Sequence, residues 1–190
     1  MFDDRQADAL KELCNIASGS AATVLSSFLQ RDIRIEVPRI MHGGDMQRVL
    51  TEAQEWVAIQ HDVGGSIGGK LAVLVRSNEV ASLLKPLVGE SAQHWNEDEQ
   101  ALSAVREISN ILTSYFLSVL GQFFHQVLVP GVPEMTFQNS AALLGLLEKR
   151  SGFLVETRFH DRAGDTLWYL MLLPDGDSMN VALDLLLKKG

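Results

Sequence analysis

Residues 8–38, "DALKELCNIASGSAATVLSSFLQRDIRIEVP", fall without a gap on residues 103–133, "SAVREISNILTSYFLSVLGQFFHQVLVPGVP", at an offset of 103 − 8 = 95. Glu12 meets Glu107, Asn15 meets Asn110, Ile16 meets Ile111, Phe28 meets Phe123 and Pro38 meets Pro133. Such self-similarity makes each half one copied supersecondary unit, so any fold has to satisfy the same pattern twice. Each unit opens on a long amphipathic helix. Asp3 followed by Gln6, and Asn96 followed by Glu99, have the spacing of a capping box that would start these two helices. Each helix leads into a short β-like run ending at a proline, "DIRIEVP" in one half and "QVLVPGVP" in the other.

Beyond the prolines the halves stay parallel. "EWVAIQHDV" and "KLAVLV" read as strands joined by the turn "GGSIGG" and followed by a helix, "NEVASLLKPLVG". In the second half "GFLVETRFH" and "TLWYLMLL" are joined by "DRAGD" and followed by the helix "SMNVALDLLLKK". The acidic "ESAQHWNEDEQ" links the halves. The expected fold is α+β: a duplicated α-β-β-β-α unit with two-fold pseudo-symmetry, a shared central sheet and packed helices. Residues 1–190 are expected to form one domain of two repeats, about 1–92 and 93–190, because neither half alone covers both faces of its strands. The run "SAALLGLL" (140–147) reads as a buried strand or turn rather than an interaction strip.

Composition narrows the function. Of 190 residues 46% are hydrophobic, enough for a real core, and the net charge of -8 with no Lys/Arg cluster speaks against nucleic acid or an anionic membrane as partner. The acidic N-terminus is wrong for a signal peptide, and no apolar run approaches the roughly 20 residues of a bilayer span, so a cytoplasmic location is expected. Cys14, the single cysteine, reads as a small core residue. "GGSIGGKL" (64–71) imitates a phosphate-binding loop, but Leu71 stands where Ser or Thr must hold magnesium, and a strand follows where a helix is needed. His42, His61, His94, His125 and His160 are scattered and suit surface or structural roles, so no metal site is expected. Ser18, Ser66 and Ser151 lack a nucleophile-elbow pattern.

What remains is one polar stripe on each long helix. Asp8, Glu12 and Asn15, and likewise Ser103, Glu107 and Asn110, follow i, i+4, i+7 spacing and share about 60° of arc. A polar stripe is ordinarily just the solvated face of a helix. Here Glu and Asn are identical in both copies while the runs "IRIEVP" and "LVPGVP" have diverged, and Lys, Arg or Gln would solvate a helix equally well. An asparagine amide is no base, but it both donates and accepts hydrogen bonds and can hold a water in line with a phosphorus atom. A glutamate can dock a partner's cation. Having no metal ligand and no nucleophile of its own, such a stripe makes sense as half of an active site completed by a partner.

At these residues the chain resembles the CheC/CheX/flagellar-switch family of chemotaxis phosphatases, the CheC type above all, whose motif is [D/S]-x-x-x-E-x-x-N on a long helix. "DALKELCN" and "SAVREISN" both match, and the small-residue run "NIASGSAATVLS" and the glycine hairpin extend the likeness. The resemblance implies a phosphatase of phosphorylated CheY-type response regulators. Asn15 and Asn110 would orient the attacking water on the aspartyl phosphate, and Glu12 and Glu107 would pair with the regulator's lysine. Asp8 and Ser103 would support the contact with the partner. No cofactor of its own is implied, since Mg2+ belongs to the regulator. Family members can also bind CheD, a receptor deamidase. The first motif departs from the family in running on as "CNIASGS", where glycines are common around the asparagine in the family. A non-catalytic adapter for a regulator or CheD is the alternative. A flagellar-switch component is disfavoured, because those proteins carry a further motor-binding domain and this chain stops at Gly190.

Overall fold

A computed structural model describes residues 3–41, 45, 50, 54–65, 67–148, 154–162, 166–175 and 183–184. The two long helices, α1 (Asp4–Leu29) and α3 (Glu99–Phe124), are 26 residues each, and both ends are displaced by the repeat offset, 99 − 4 and 124 − 29. Their caps obey the same offset. Asp3 accepts from the Gln6 amide at 2.8 Å while the Gln6 side chain accepts from the Asp3 amide at 3.0 Å, which completes the expected capping box. In the second half the cap is Asp98, not Asn96: its carboxylate accepts from the Ala101 amide at 2.9 Å, and helical geometry begins only at Glu99. Both helices stop at a residue in the left-handed conformation, Gln30 at φ 51° and His125 at φ 53°.

Each chain half then turns back along its helix. Ser26 holds the first turn, its hydroxyl accepting from the Ile33 amide at 3.0 Å and donating to the Ala22 carbonyl at 2.8 Å. The matching position in α3 is Gly121, where an added Cβ would stand 2.5 Å from the Gln126 carbonyl oxygen. The same turn is thus secured by a side chain in one half and by close backbone approach in the other.

The strands are β1 (Arg34–Ile35), β2 (Arg39–Met41), β3 (Glu55–Gly64), β4 (Gly69–Arg76), β5 (Val129–Pro130), β6 (Glu134–Asn139), β7 (Leu154–His160) and β8 (Thr166–Pro174). They form one antiparallel sheet in the order β1-β7-β8-β4-β3-β5, with β2 also on β7 and β6 also on β3. The pseudo-symmetry passes between β4 and β8. On either side the edge strands are exchanged: β1 and β2 of the first half pair with β7 of the second, and β5 and β6 of the second pair with β3 of the first. The expected α+β duplication with a shared sheet is therefore present. Each half has four strands rather than the expected three: the proline-terminated run holds one, β1 or β5, and a further strand, β2 or β6, begins just after the proline, since Pro38 and Pro133 have no N–H to give a ladder.

Side chains alternate between two faces. On one, α1 and α3 lie together, with Leu10, Ala17, Leu25, Ile108, Leu112 and Phe116 over Ile59, Leu71, Val73 and Leu170. Burying a single such leucine contributes on the order of 2 kcal/mol. The opposite face holds Trp56, Leu74, Tyr169 and Met171 under Leu143. Leu143 belongs to α4 (Ser140–Glu148), which corrects the reading of "SAALLGLL" as a strand or turn. Asn139 accepts from the Ala142 amide at 2.9 Å and starts a helix there, in a run of Ala and Leu that favours one.

The remaining connections are shorter. Helix α2 (Val80–Val88) leads into a 3-10 segment at Gly89–His94 within the linker. Of the last expected helix only Leu183 and Asp184 are described, both helical; the rest, with Ser66, Ser151, His42 and the loop residues 163–165, lies outside the described residues. No helix among the described residues is long and apolar enough to cross a membrane.

The close approach at Gly121 is testable by giving it its repeat counterpart. Gly121→Ser places a Cβ against a carbonyl, and overpacking of this kind should lower stability by about 1–3 kcal/mol, read as the urea midpoint at unchanged slope.

Candidate functional site

Both stripes point away from the sheet, because the opposite face of each helix is committed to the core. Asp8, Glu12, Ser103, Glu107 and Asn110 are exposed, and Asn15 is half-buried. Among the described residues the side chains of Glu12, Asn15, Glu107 and Asn110 make no hydrogen bond or ion pair, so their donors and acceptors are available to a partner. Asp8 alone has a neighbour, Lys11 at 4.0 Å. Along each axis Glu and Asn are separated by about 4.5 Å, three residues of rise. The structure therefore presents each Glu–Asn pair as one patch.

Cys14 lies beneath the first stripe, fully buried, and burial pushes its thiol up to about 12. It is a core residue with no thiolate to offer near neutral pH. Among the described residues no three His, Cys, Asp or Glu side chains stand together as a metal-ligand group. The loop "GGSIGG" joins β3 to β4 and opens no helix, and Gly65 and Gly69 adopt φ of 124° and 147°, where any side chain would be strained. A Cβ on Gly65 would meet the Val127 carbonyl at 2.5 Å, so this turn serves packing between the halves.

Sequence reasoning missed how the stripes are held in register. His61 is wholly buried on β3, with Nδ1 3.1 Å from the Gly131 carbonyl and Nε2 2.8 Å from the Ser109 hydroxyl. A carbonyl can only accept, so Nδ1 carries the proton and the neutral ring's Nε2 accepts from Ser109, the residue before Asn110. The other half has its own tether, Ser18 of α1 donating to Thr157 of β7 at 3.2 Å. These tethers occupy matching strand positions. Gly64 pairs with Val129 and His160 with Arg34, and since Arg34 is the counterpart of Val129, His61 is the counterpart of Thr157. Each motif helix is thus bonded to a strand of the opposite half. The one signal in the sequence was a histidine falling on the apolar alternation Val57, Ile59, His61, Val63 of "EWVAIQHDV".

Burial holds the His61 pKa below the ordinary histidine value. Between that depressed value and the unfolded one near 6.5 the unfolded chain binds more protons, so stability falls as pH drops through this window. In urea titrations from pH 7.5 down to pH 5, the advantage of the native chain over His61→Gln should shrink; an advantage constant with pH would rule the neutral ring out.

Comparison with known proteins follows the same residues. The CheC-like family model matches residues 6–42, the stretch holding Asp8, Glu12 and Asn15. The CheY-P phosphatase CheC of Bacillus subtilis is 26% identical over 189 residues, covering 92% of this chain and 90% of the relative. Among solved structures, FliY of Thermotoga maritima superposes with a TM-score of 0.73 at 21% identity, covering 100% of both chains. CheX of Borrelia burgdorferi, solved as a CheX–CheY–BeF3–Mg2+ complex, gives 0.58 at 14% identity, covering 87% of this chain and 97% of the other. The structural likenesses establish the shared fold. The resemblance to the CheC-type family read from the two motifs is borne out.

Proposed function

We propose that this chain is a phosphatase of phosphorylated CheY-type response regulators, each long helix supplying a Glu–Asn half-site. The observation that carries the reading is the recurrence of the pair, uncommitted and facing outward, at matching places in both halves. Likeness over 92% of the chain to a CheY-P phosphatase supports it, as does a protein of the same fold having been solved with CheY, BeF3 and Mg2+.

In this reading the regulator contributes the phosphorylated aspartate and its Mg2+. Glu12 or Glu107 pairs with a lysine beside that aspartate and sets the pose. The amide of Asn15 or Asn110 holds a water in line with phosphorus. The water oxygen forms the new P–O bond, the bond to the aspartyl oxygen breaks, and the aspartate carboxylate is released. Inorganic phosphate departs carrying the water's remaining hydrogen, and the other proton passes to phosphate or solvent. No protein base is needed, because orientation and exclusion of bulk water carry the acceleration. Asp8 and Ser103, one turn earlier on each stripe, contact the partner's rim. CheD is a second partner consistent with the family resemblance.

The two half-sites differ, since Asn110 is exposed and Asn15 half-buried. Loss of phosphate from a phosphorylated CheY-type receiver of the same organism should be slowed more by Asn110→Ala than by Asn15→Ala. The double variant should lose about 10²-fold or more of the acceleration. As exposed or half-exposed positions without bonds, both substitutions should change stability by no more than about 0.5 kcal/mol. A double variant that binds the receiver and still accelerates decay would refute the assignment, and a native chain that binds without accelerating decay would make it an adapter.

A further inference from the structure

The second stripe does not end at Asn110. Ser114, Leu117 and Gly121 continue its spacing (110 + 4, 110 + 7, 110 + 11) and run into a groove of about 740 Å³ between the end of α3 and the β5 arm. Leu117 and Leu128 are buried at its base, while Val127 and Val129 stand on its rim at 80% and 52% exposure. The repeat offers an internal comparison. At an offset of 95 the counterparts of Val127 and Val129 are Asp32 and Arg34, which form an ion pair at 2.9 Å. One scaffold position thus carries a solvated ion pair beside the first stripe and bare valines beside the second.

We infer that this groove is a second contact for the phosphorylated receiver docked at Asn110, taking an apolar side chain that borders the receiver's phosphorylation site. The inference rests on the function proposed above and concerns the same partner. Its warrant is reach. The groove lies from about 6 to about 17 Å beyond Asn110 along the helix axis. A receiver domain of roughly 100 residues or more has a radius of gyration of about 13 Å, so one whose phosphoaspartate meets Asn110 overhangs the groove. Exposed valines over a buried leucine floor reward an apolar neighbour, whereas Asp32 and Arg34 would have to be desolvated by the same neighbour. The arms therefore make the two half-sites unequal in affinity, independently of their asparagines.

The test isolates each site and exchanges the arms. In an Asn15→Ala background, adding Val127→Asp and Val129→Arg should raise KM for the phosphorylated receiver about tenfold, the effect of withdrawing roughly one valine's burial, with kcat within about twofold. In an Asn110→Ala background, Asp32→Val with Arg34→Val should lower KM, a gain that misfolding cannot produce. Unchanged KM in both exchanges, with turnover intact, overturns the docking surface and leaves the phosphatase reading standing. If the valine substitutions turn a dimer into a monomer on sedimentation without moving KM, the groove holds a second copy and the inference is equally overturned. If the native chain shows no turnover, yet its binding of a BeF3-treated receiver is lost on exchanging the valines, the phosphatase reading falls and the docking surface stands. If that receiver is not bound at all, both fall.

Discussion

The exchange of edge strands across the β4–β8 pair governs the rest of this structure. β3 and β7 each have one neighbour from their own half and need another to complete their ladders, and in both cases the missing strands come from the opposite repeat. The helix feeding those strands must then lie over the opposite half as well. This is why Ser109 of α3 is bonded to His61 of β3, and Ser18 of α1 to Thr157 of β7. With one face of each long helix fixed in this way, the other face is left to solvent, and it bears the Glu–Asn stripe.

Function, in this view, is drawn from the part of each helix that packing does not use. The core faces of α1 and α3 are mainly apolar, with buried Ser18 and Ser109 given over to the tethers. Their outer faces keep two polar residue types that solubility alone does not demand. Pseudo-symmetry preserves the geometry of both stripes while their surroundings have diverged. Cys14 underlies one asparagine where Ser109 and its histidine flank the other, and an Asp–Arg pair borders one arm where two valines border the other. On the proposed reading, a duplicated scaffold with unequal surroundings would let the two stripes serve with different strengths.

Much of this was legible in the sequence, because a repeat states each structural instruction twice. The helix starts, the left-handed stops at Gln30 and His125 and the first strands after them all recur at the same offset. The second helix cap was misassigned to Asn96 by following the local spacing to Glu99, although adding the offset to Asp3 leads directly to Asp98. Helix α4 was hidden because an eight-residue apolar run has the same pattern as a buried strand. The tether at His61 was not legible: its partners lie 48 and 70 residues away, and only the exchanged topology brings them together. Local rules foresee caps and faces, whereas contacts made across the exchange require the sheet order itself.

The central claim is that the two outward stripes are where a phosphorylated receiver binds. Its most direct test is to titrate an isotope-labelled chain with a BeF3-treated CheY-type receiver and follow the side-chain amide resonances of Asn15 and Asn110. Both should shift with the added receiver, and neither should respond to receiver lacking BeF3 at the same concentration. A receiver that binds while both amides stay unperturbed would place the contact elsewhere and contradict the account.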